Sequence, residues 1–366
     1  MCVAKPSKRL MGIVGVAAGL GAAGVGAAVG IRKVAVGRVR FHPDPDVNEP
    51  FGELRGRPLT VLADDGVPLH VEIDEPDPEP ESGTGAPLTV VFCHGYTLNQ
   101  DSWHYQRRDL AGTRMVFWDQ RSHGRSGRSK PTHATIDQTG EDLYAVLRAT
   151  VRPGDPVLLV GHSMGGMSIM ALAERHPELF GDQIVGVALV NTSHGGLSEL
   201  TLGLPLVLAK VMRPLAPGVV RGLGRQAGLV DRTRQAGADI AFMVIRRMGF
   251  ADKYVSPTVV DFVEEMIRAT PIDVIAEFYP ALMAHDKLAS LAVVGRVPVL
   301  VLAGGQDRVT SATLGRMLAG EIGDAELTEV ADAGHLLPLE YPGIVTGALR
   351  RLIEQVRPPR VRERSA

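Results

Sequence analysis

The chain has 366 residues, 45% of them hydrophobic and 22% charged, enough apolar material for a sizeable core and too little charge for a disordered or fibrous protein. Its 39 Lys and Arg against 41 Asp and Glu leave a formal net charge of −2, with no basic excess suited to a phosphate backbone, which argues against a nucleic-acid partner. Two cysteines, Cys2 and Cys93, offer a single pair, so no disulfide scaffold is expected and the compartment stays open.

The first feature in chain order is Met11 to Ile31, 21 residues without a charge, flanked by Lys5, Lys8 and Arg9 and by Arg32 and Lys33. As a helix it would reach about 30 Å, the thickness of a hydrocarbon core. Seven of the 21 are Gly and six are Ala, which weakens the hydrophobic drive but permits close helix approach at Gly15-xxx-Gly19 and Gly26-xxx-Gly30. The run predicts an N-terminal hydrophobic helix within a segment 1–34. A retained anchor is preferred over a cleaved signal peptide, because no strict Ala-x-Ala site occurs and the apolar stretch exceeds the usual length. Membrane association through residues 11–31 is therefore expected, with basic residues on both sides leaving its orientation open. Gly19-Leu20-Gly21-Ala22-Ala23-Gly24 has the glycine spacing of a dinucleotide-binding turn, yet a third of this run is Gly. No strand–turn–helix unit with a placed acidic residue surrounds it, so it predicts no cofactor.

Beyond it, Leu59 to Leu62 and Leu69 to Ile73 read as short strands joined at Asp64-Asp65-Gly66, a hairpin. Glu75 to Ala86 is a Pro/Glu/Gly-rich surface loop. Continuous apolar runs then appear at Leu88 to Cys93, Met115 to Trp118, Val157 to Val160, Ile184 to Val190 and Val297 to Leu302, and a further strand is expected at Ala325 to Val330. Helices are predicted between them, among others over Thr139 to Val151 and over Met164 to Arg175, which stops before Pro177. Strands alternating with helices imply an α/β fold with a mostly parallel central sheet flanked by helices. The alternation breaks over 195–291, Leu/Val/Arg-rich and punctuated by Pro205, Pro214, Pro217, Pro257 and Pro271. That stretch reads as an inserted helical cap, dividing the core into 35–194 and 292–356; a basic tail, 357–366, follows and is expected to be disordered. Leu200, Leu202, Leu204, Leu206 and Leu208 could line a substrate tunnel, although packing onto the sheet is the plainer account.

Three places carry chemistry. Gly161-His162-Ser163-Met164-Gly165 follows an apolar strand and opens a helix, the setting of a nucleophile elbow, in which a tight turn between small residues projects the Ser163 hydroxyl. The Met164 N–H then faces a developing oxyanion, and His162 reads as a structural residue of the turn. A hydroxyl needs a base, and the base an orienting acid. His335, in Asp332-Ala333-Gly334-His335, and Asp307, after the strand ending at Leu302, supply them in the chain order Ser, Asp, His. Structurally, Asp307 could instead cap the next helix and His335 satisfy a loop backbone. Finally, Val91-Phe92-Cys93-His94-Gly95-Tyr96 ends a strand in a turn whose Tyr96 N–H can be a second oxyanion donor, with His94 bracing it.

His94-Gly95, Asp119-Gln120-Arg121-Ser122-His123-Gly124-Arg125-Ser126, Gly161 to Gly166, Asp307 and Ala333-Gly334-His335 together resemble the α/β-hydrolase fold family over about residues 58 to 355. The likeness is to its serine esterases, monoacylglycerol lipases and non-haem haloperoxidase-like members. It implies Ser163 as nucleophile, His335 as base, Asp307 as acid, and Tyr96 and Met164 as oxyanion donors. One departure is Ser122, where the family's Asp-x-Arg-Gly-His-Gly-x-Ser loop has its first Gly. Fold relatives that use Asp as nucleophile are set aside by Ser163. The expected reaction is two-step hydrolysis of a hydrophobic or lipid-like carboxylic ester, with no metal or organic cofactor. Hydrolysis of a thioester, lactone or carbon–carbon bond, acyl transfer to another acceptor, or a non-catalytic membrane-tethered binding protein are the alternatives.

Overall fold

The computed structural model describes residues 44–76, 87–197 and 245–357. Chain order runs β1 (Arg57–Leu62), β2 (Pro68–Asp74), β3 (Thr89–Cys93), α1 (His104–Asp109), β4 (Arg114–Trp118), α2 (Ile136–Thr150), β5 (Val157–His162), α3 (Met164–Arg175) and β6 (Ile184–Val190). It continues through α4 (Pro257–Ala269), α5 (Ile272–Met283), α6 (Leu291–Val294), β7 (Val299–Gly304), α7 (Ala312–Ile322), β8 (Glu326–Val330), α8 (Leu337–Glu340) and α9 (Pro342–Val356). The strands form one sheet in the order β1-β2-β4-β3-β5-β6-β7-β8. β1 pairs antiparallel with β2, and β2 with β4; every pairing from β4 to β8 is parallel.

The apolar runs become the central strands because both faces of the sheet are covered. Val91 and Cys93 of β3, Leu159 of β5, Leu189 of β6 and Val301 of β7 point to the side packed by α2 and α3. Their alternates Val90, Phe92, Leu158, Val160, Ala188, Leu300 and Leu302 point to the side packed by α9. The hairpin expected at Asp64-Asp65-Gly66 is present, with Leu62 opposite Pro68 and Gly66 at φ 84°. α2 begins three residues earlier than the sequence pattern suggests, because the Thr135 hydroxyl caps it by accepting the Gln138 N–H at 3.1 Å. The first ten residues of α3 are all buried, so this helix is apolar on every side rather than along one stripe. Between β6 and β7, which pair directly, the chain makes a long excursion that includes α4 and α5.

The membrane localisation expected from residues 11–31 does not stand. Among the described residues no helix is long and apolar enough to cross a membrane, and residues 11–31 lie outside the described residues, as do the glycine-spaced turn at 19–24 and the leucines at 200–208. The physical weakness of the reading lies in its composition: the seven Gly and six Ala of the run contribute little of the transfer free energy that Leu, Ile and Phe supply to a span. The tail from 358 onward also lies outside the described residues.

Candidate active site

β5 ends at His162 and α3 begins at Met164, so Ser163 alone makes the turn, at φ 52° and ψ −117°. Left-handed backbone at a non-glycine residue is strained and persists only where the surroundings fix it. They do so from both sides. The Ser163 N–H donates to the Val190 carbonyl at 3.0 Å, and its own carbonyl accepts the Thr192 hydroxyl at 2.7 Å and the Gly166 N–H at 3.0 Å. The close approach of α3 to the sheet needs glycine: a Cβ on Gly165 would lie 2.1 Å from the Cys93 carbonyl oxygen.

Asp307 and His335 come from the loops after β7 and β8 respectively. His335 Nδ1–H donates to Asp307 Oδ2 at 2.8 Å, which leaves Nε2 as acceptor for the Ser163 hydroxyl at 3.1 Å. The first alternative weighed from sequence is answered in part: Asp307 does hold the next turn, Oδ1 accepting the Val309 and Thr310 N–H groups at 2.7 and 2.9 Å, while Oδ2 takes the Thr310 hydroxyl and the imidazole. Burial alone would raise the Asp307 carboxyl, but the charge and hydrogen bond of His335 and these donors outweigh it and hold the group below its ordinary value. A buried carboxylate ionised beside an imidazole fixes the ring's tautomer and stabilises it when it takes a proton.

The turn after β3 lies against the elbow. A Cβ on Gly95 would stand 3.3 Å from Ser163 Cβ and 2.8 Å from His162 Nδ1, so only glycine lets Tyr96 follow so near. The Tyr96 side chain packs into the cluster formed by Met164, Met167, Val274, Phe278 and Leu282, and its hydroxyl donates to the Ile275 carbonyl of α5. His94 braces the turn as expected: Gln120 N–H donates to Nε2 at 2.9 Å, so Nδ1–H donates to the Gly95 carbonyl at 2.8 Å. Gln120 in turn donates to the His94 carbonyl and accepts the Ser168 hydroxyl of α3 at 2.9 Å. Burial pushes His94 and His162 each down to about 3, keeping both neutral beside the site.

Ser122 departs from the family's glycine yet keeps the loop's turn, at φ 65° with its N–H donating to Gly127 O at 3.0 Å. Its hydroxyl accepts the Ser129 N–H at 3.0 Å, a bond that glycine could not make. Asp119 of the same loop accepts the Gln100 and Arg125 N–H groups at 2.8 Å each.

Several site residues were not singled out from the sequence. Asn191, just after β6, bonds to Gly304, Gly334 and His335. Glu340 accepts the Gly334 N–H at 2.6 Å with one oxygen and the Ala251 and Asp252 N–H groups with the other, tying the His335 loop to the excursion. Thr192 and Thr310 steady the elbow and the acid. All four act on the main chain or through another side chain, so no residue-type spacing announces them. Among the described residues no group of three or more His, Cys, Asp or Glu side chains converges as a metal site.

Comparison with known proteins agrees with this architecture. The Alpha/beta hydrolase family model matches residues 90–348. A monoacylglycerol lipase of Mycolicibacterium smegmatis is 30% identical over 158 residues, 42% of this chain and 52% of that protein, so the match spans about half the length of that relative. 3-oxoadipate enol-lactonase 2 of Acinetobacter baylyi is 27% identical over 267 residues, 73% of this chain and 88% of that one. Among solved structures, the enol-lactonase of Burkholderia xenovorans superposes with a TM-score of 0.63 at 25% identity, covering 81% of this chain and all of its own. The fold, the elbow between β5 and α3 and a family match over most of the chain lead to one conclusion: the protein belongs to the alpha/beta hydrolase family.

Proposed function

We propose that the protein hydrolyses carboxylic esters of hydrophobic acids through Ser163, His335 and Asp307. The observation that carries this reading is the hydrogen-bond chain from Ser163 Oγ to His335 Nε2 at 3.1 Å and from His335 Nδ1 to Asp307 Oδ2 at 2.8 Å. In the first half-reaction His335 Nε2 takes the Ser163 proton as Oγ attacks the ester carbonyl. The imidazolium is stabilised by Asp307 and returns the proton to the leaving alcohol, giving an acyl-serine. Water, deprotonated by the same imidazole, releases the acid. The Tyr96 and Met164 N–H groups are assigned to the oxyanion, an interaction worth roughly 3 kcal/mol per donor in such sites. The described part of the 195–291 segment contributes Val274, Phe278 and Leu282 of α5, which cluster with Met164 and Met167 next to the elbow, and this supports an apolar acyl group.

A second reading, hydrolysis of a lactone, is favoured by one observation: the enol-lactonase match extends over 73% of this chain. The chemistry is the same with the leaving alcohol retained on the acyl group. A fluorophosphonate probe should label the protein and leave Ser163→Ala unlabelled; equal labelling would remove Ser163 from the mechanism. Turnover of p-nitrophenyl esters of graded chain length should rise toward medium or long acyl groups. A protein that cleaves lactones and none of these esters would replace the first reading by the second.

A further inference from the structure

We infer that Asn191 is a positioning residue that sets the geometry of the Ser163, His335 and Asp307 array; the inference rests on the catalytic reading of those three side chains. Asn191 follows the last residue of β6, is 2% exposed and sits at φ 42°, a left-handed conformation that Asn tolerates better than most residues. Its own N–H continues the sheet by donating to the Leu302 carbonyl of β7 at 2.8 Å.

The side chain then reaches both loops that carry the site. Asn191 Oδ1 accepts the N–H of Gly304, the end of β7 and three residues before Asp307, at 2.7 Å. Asn191 Nδ2 donates to the carbonyls of Gly334 and His335, each at 2.8 Å. Because an amide N–H can only donate and a carbonyl can only accept, these partners fix which end of the carboxamide is oxygen. The His335 carbonyl also accepts His162 Nε2–H at 2.9 Å, so the base is gripped from the nucleophile's neighbour as well. The acid and base loops do bond directly, Gln306 N–H to Ala333 O at 2.9 Å, but that contact does not reach His335.

The residues flanking Asn191 complete the pattern. Val190 accepts the Ser163 N–H and Thr192 donates to the Ser163 carbonyl. Three consecutive residues at the end of β6 therefore hold the backbone of the nucleophile, the approach to the acid and the backbone of the base. None touches a reacting atom. Rigid placement matters because a shift of about 1 Å in such an array can lower turnover by roughly 10²-fold.

The test uses the full chain with Asn191→Gly, which removes the carboxamide without backbone strain, and Asn191→Asp, which keeps the shape and the acceptor for Gly304 but loses the donor. For each, kcat per titrated active site and KM on a p-nitrophenyl ester are measured, together with the fluorophosphonate labelling rate. Both variants are expected to lose about 10- to 100-fold in kcat per site with KM within about twofold, and to be labelled more slowly. Full kcat per titrated site in either variant, including the case in which only the active fraction falls, would overturn the positioning role. Undiminished labelling of Ser163→Ala would instead overturn the catalytic reading itself, whatever the Asn191 variants do.

Discussion

Ser163 is held in a strained conformation by bonds to Val190 and Thr192, and strain of this kind costs on the order of 1–3 kcal/mol. What the strain accomplishes is to lift one hydroxyl off the strand end toward His335. Asp307 does several jobs with one side chain: its carboxylate accepts four hydrogen bonds, from two backbone N–H groups, one hydroxyl and one imidazole. Asp307→Asn should keep the turn, since Oδ1 can still accept from Val309 and Thr310, but an amide facing His335 Nδ1 disfavours the tautomer that leaves Nε2 free. A fall in ester turnover of about 10⁴-fold with an unchanged melting temperature is expected; steady-state kinetics beside a thermal melt would check it, and an unchanged rate would assign the acid elsewhere.

Elements meet at the site rather than merely surrounding it. The turn after β3 is tied to the excursion twice, by Tyr96 to the Ile275 carbonyl of α5 and by the Thr270 hydroxyl to the Thr97 carbonyl at 3.1 Å. The His335 loop is tied to it through Glu340. Arg128, beyond the Asp119 loop, adds bonds to Asp273 and Glu277 of α5, although exposed pairs of this sort contribute little each. Removing the Tyr96 hydroxyl isolates one of these ties. Tyr96→Phe should lower stability by about 1 kcal/mol and lower kcat by several-fold, because the turn bearing the Tyr96 N–H loses its support. Melting curves and kcat on one ester would read both effects. If kcat held while stability fell, the bond would matter to packing and not to the oxyanion turn.

At the scale of the whole molecule, the neighbourhood of the site is a set of buried neutral imidazoles. Burial pushes His94 and His162 down to about 3 and His123 and His285 down to about 4, from an ordinary 6.5. Once unfolded, each takes up a proton below about 6.5 that the folded chain refuses until about 3 to 4. Stability from these groups is thus complete above that ordinary value and declines as pH falls through the window between, at about 1.4 kcal/mol per unit for each group. Asp119 and Asp142, which burial pushes up to about 6, oppose the trend, since the folded chain holds their protons. Four imidazoles outweigh two carboxylates, so the melting temperature should drop by at least about 5 °C between pH 7 and pH 5. Scanning calorimetry or fluorimetry across that range would test it; a flat profile would mean that these histidines charge in the folded state.

Sequence alone determined the alternation of strands and helices, the hairpin at Asp64-Asp65-Gly66, the elbow at Ser163 and the three polar side chains of the array, although Ser163 and His335 stand 172 residues apart. These were legible because side-chain periodicity and the glycines of a tight turn follow from local sterics, and because few residue types suit the roles proposed for those three side chains. The 11–31 reading failed as a localisation for the opposite reason: absence of charge marks a run as uncharged, while spanning requires hydrophobicity that Gly and Ala supply poorly. Only the tertiary structure decided the roles of Asn191, Glu340 and Thr192. Their partners are peptide N–H and C=O groups, in the case of Asn191 on segments 113 and 143 residues away. Every residue carries such groups, so these contacts leave no signature in residue type or spacing and exist only once the ends of β5, β6, β7 and β8 have been brought side by side.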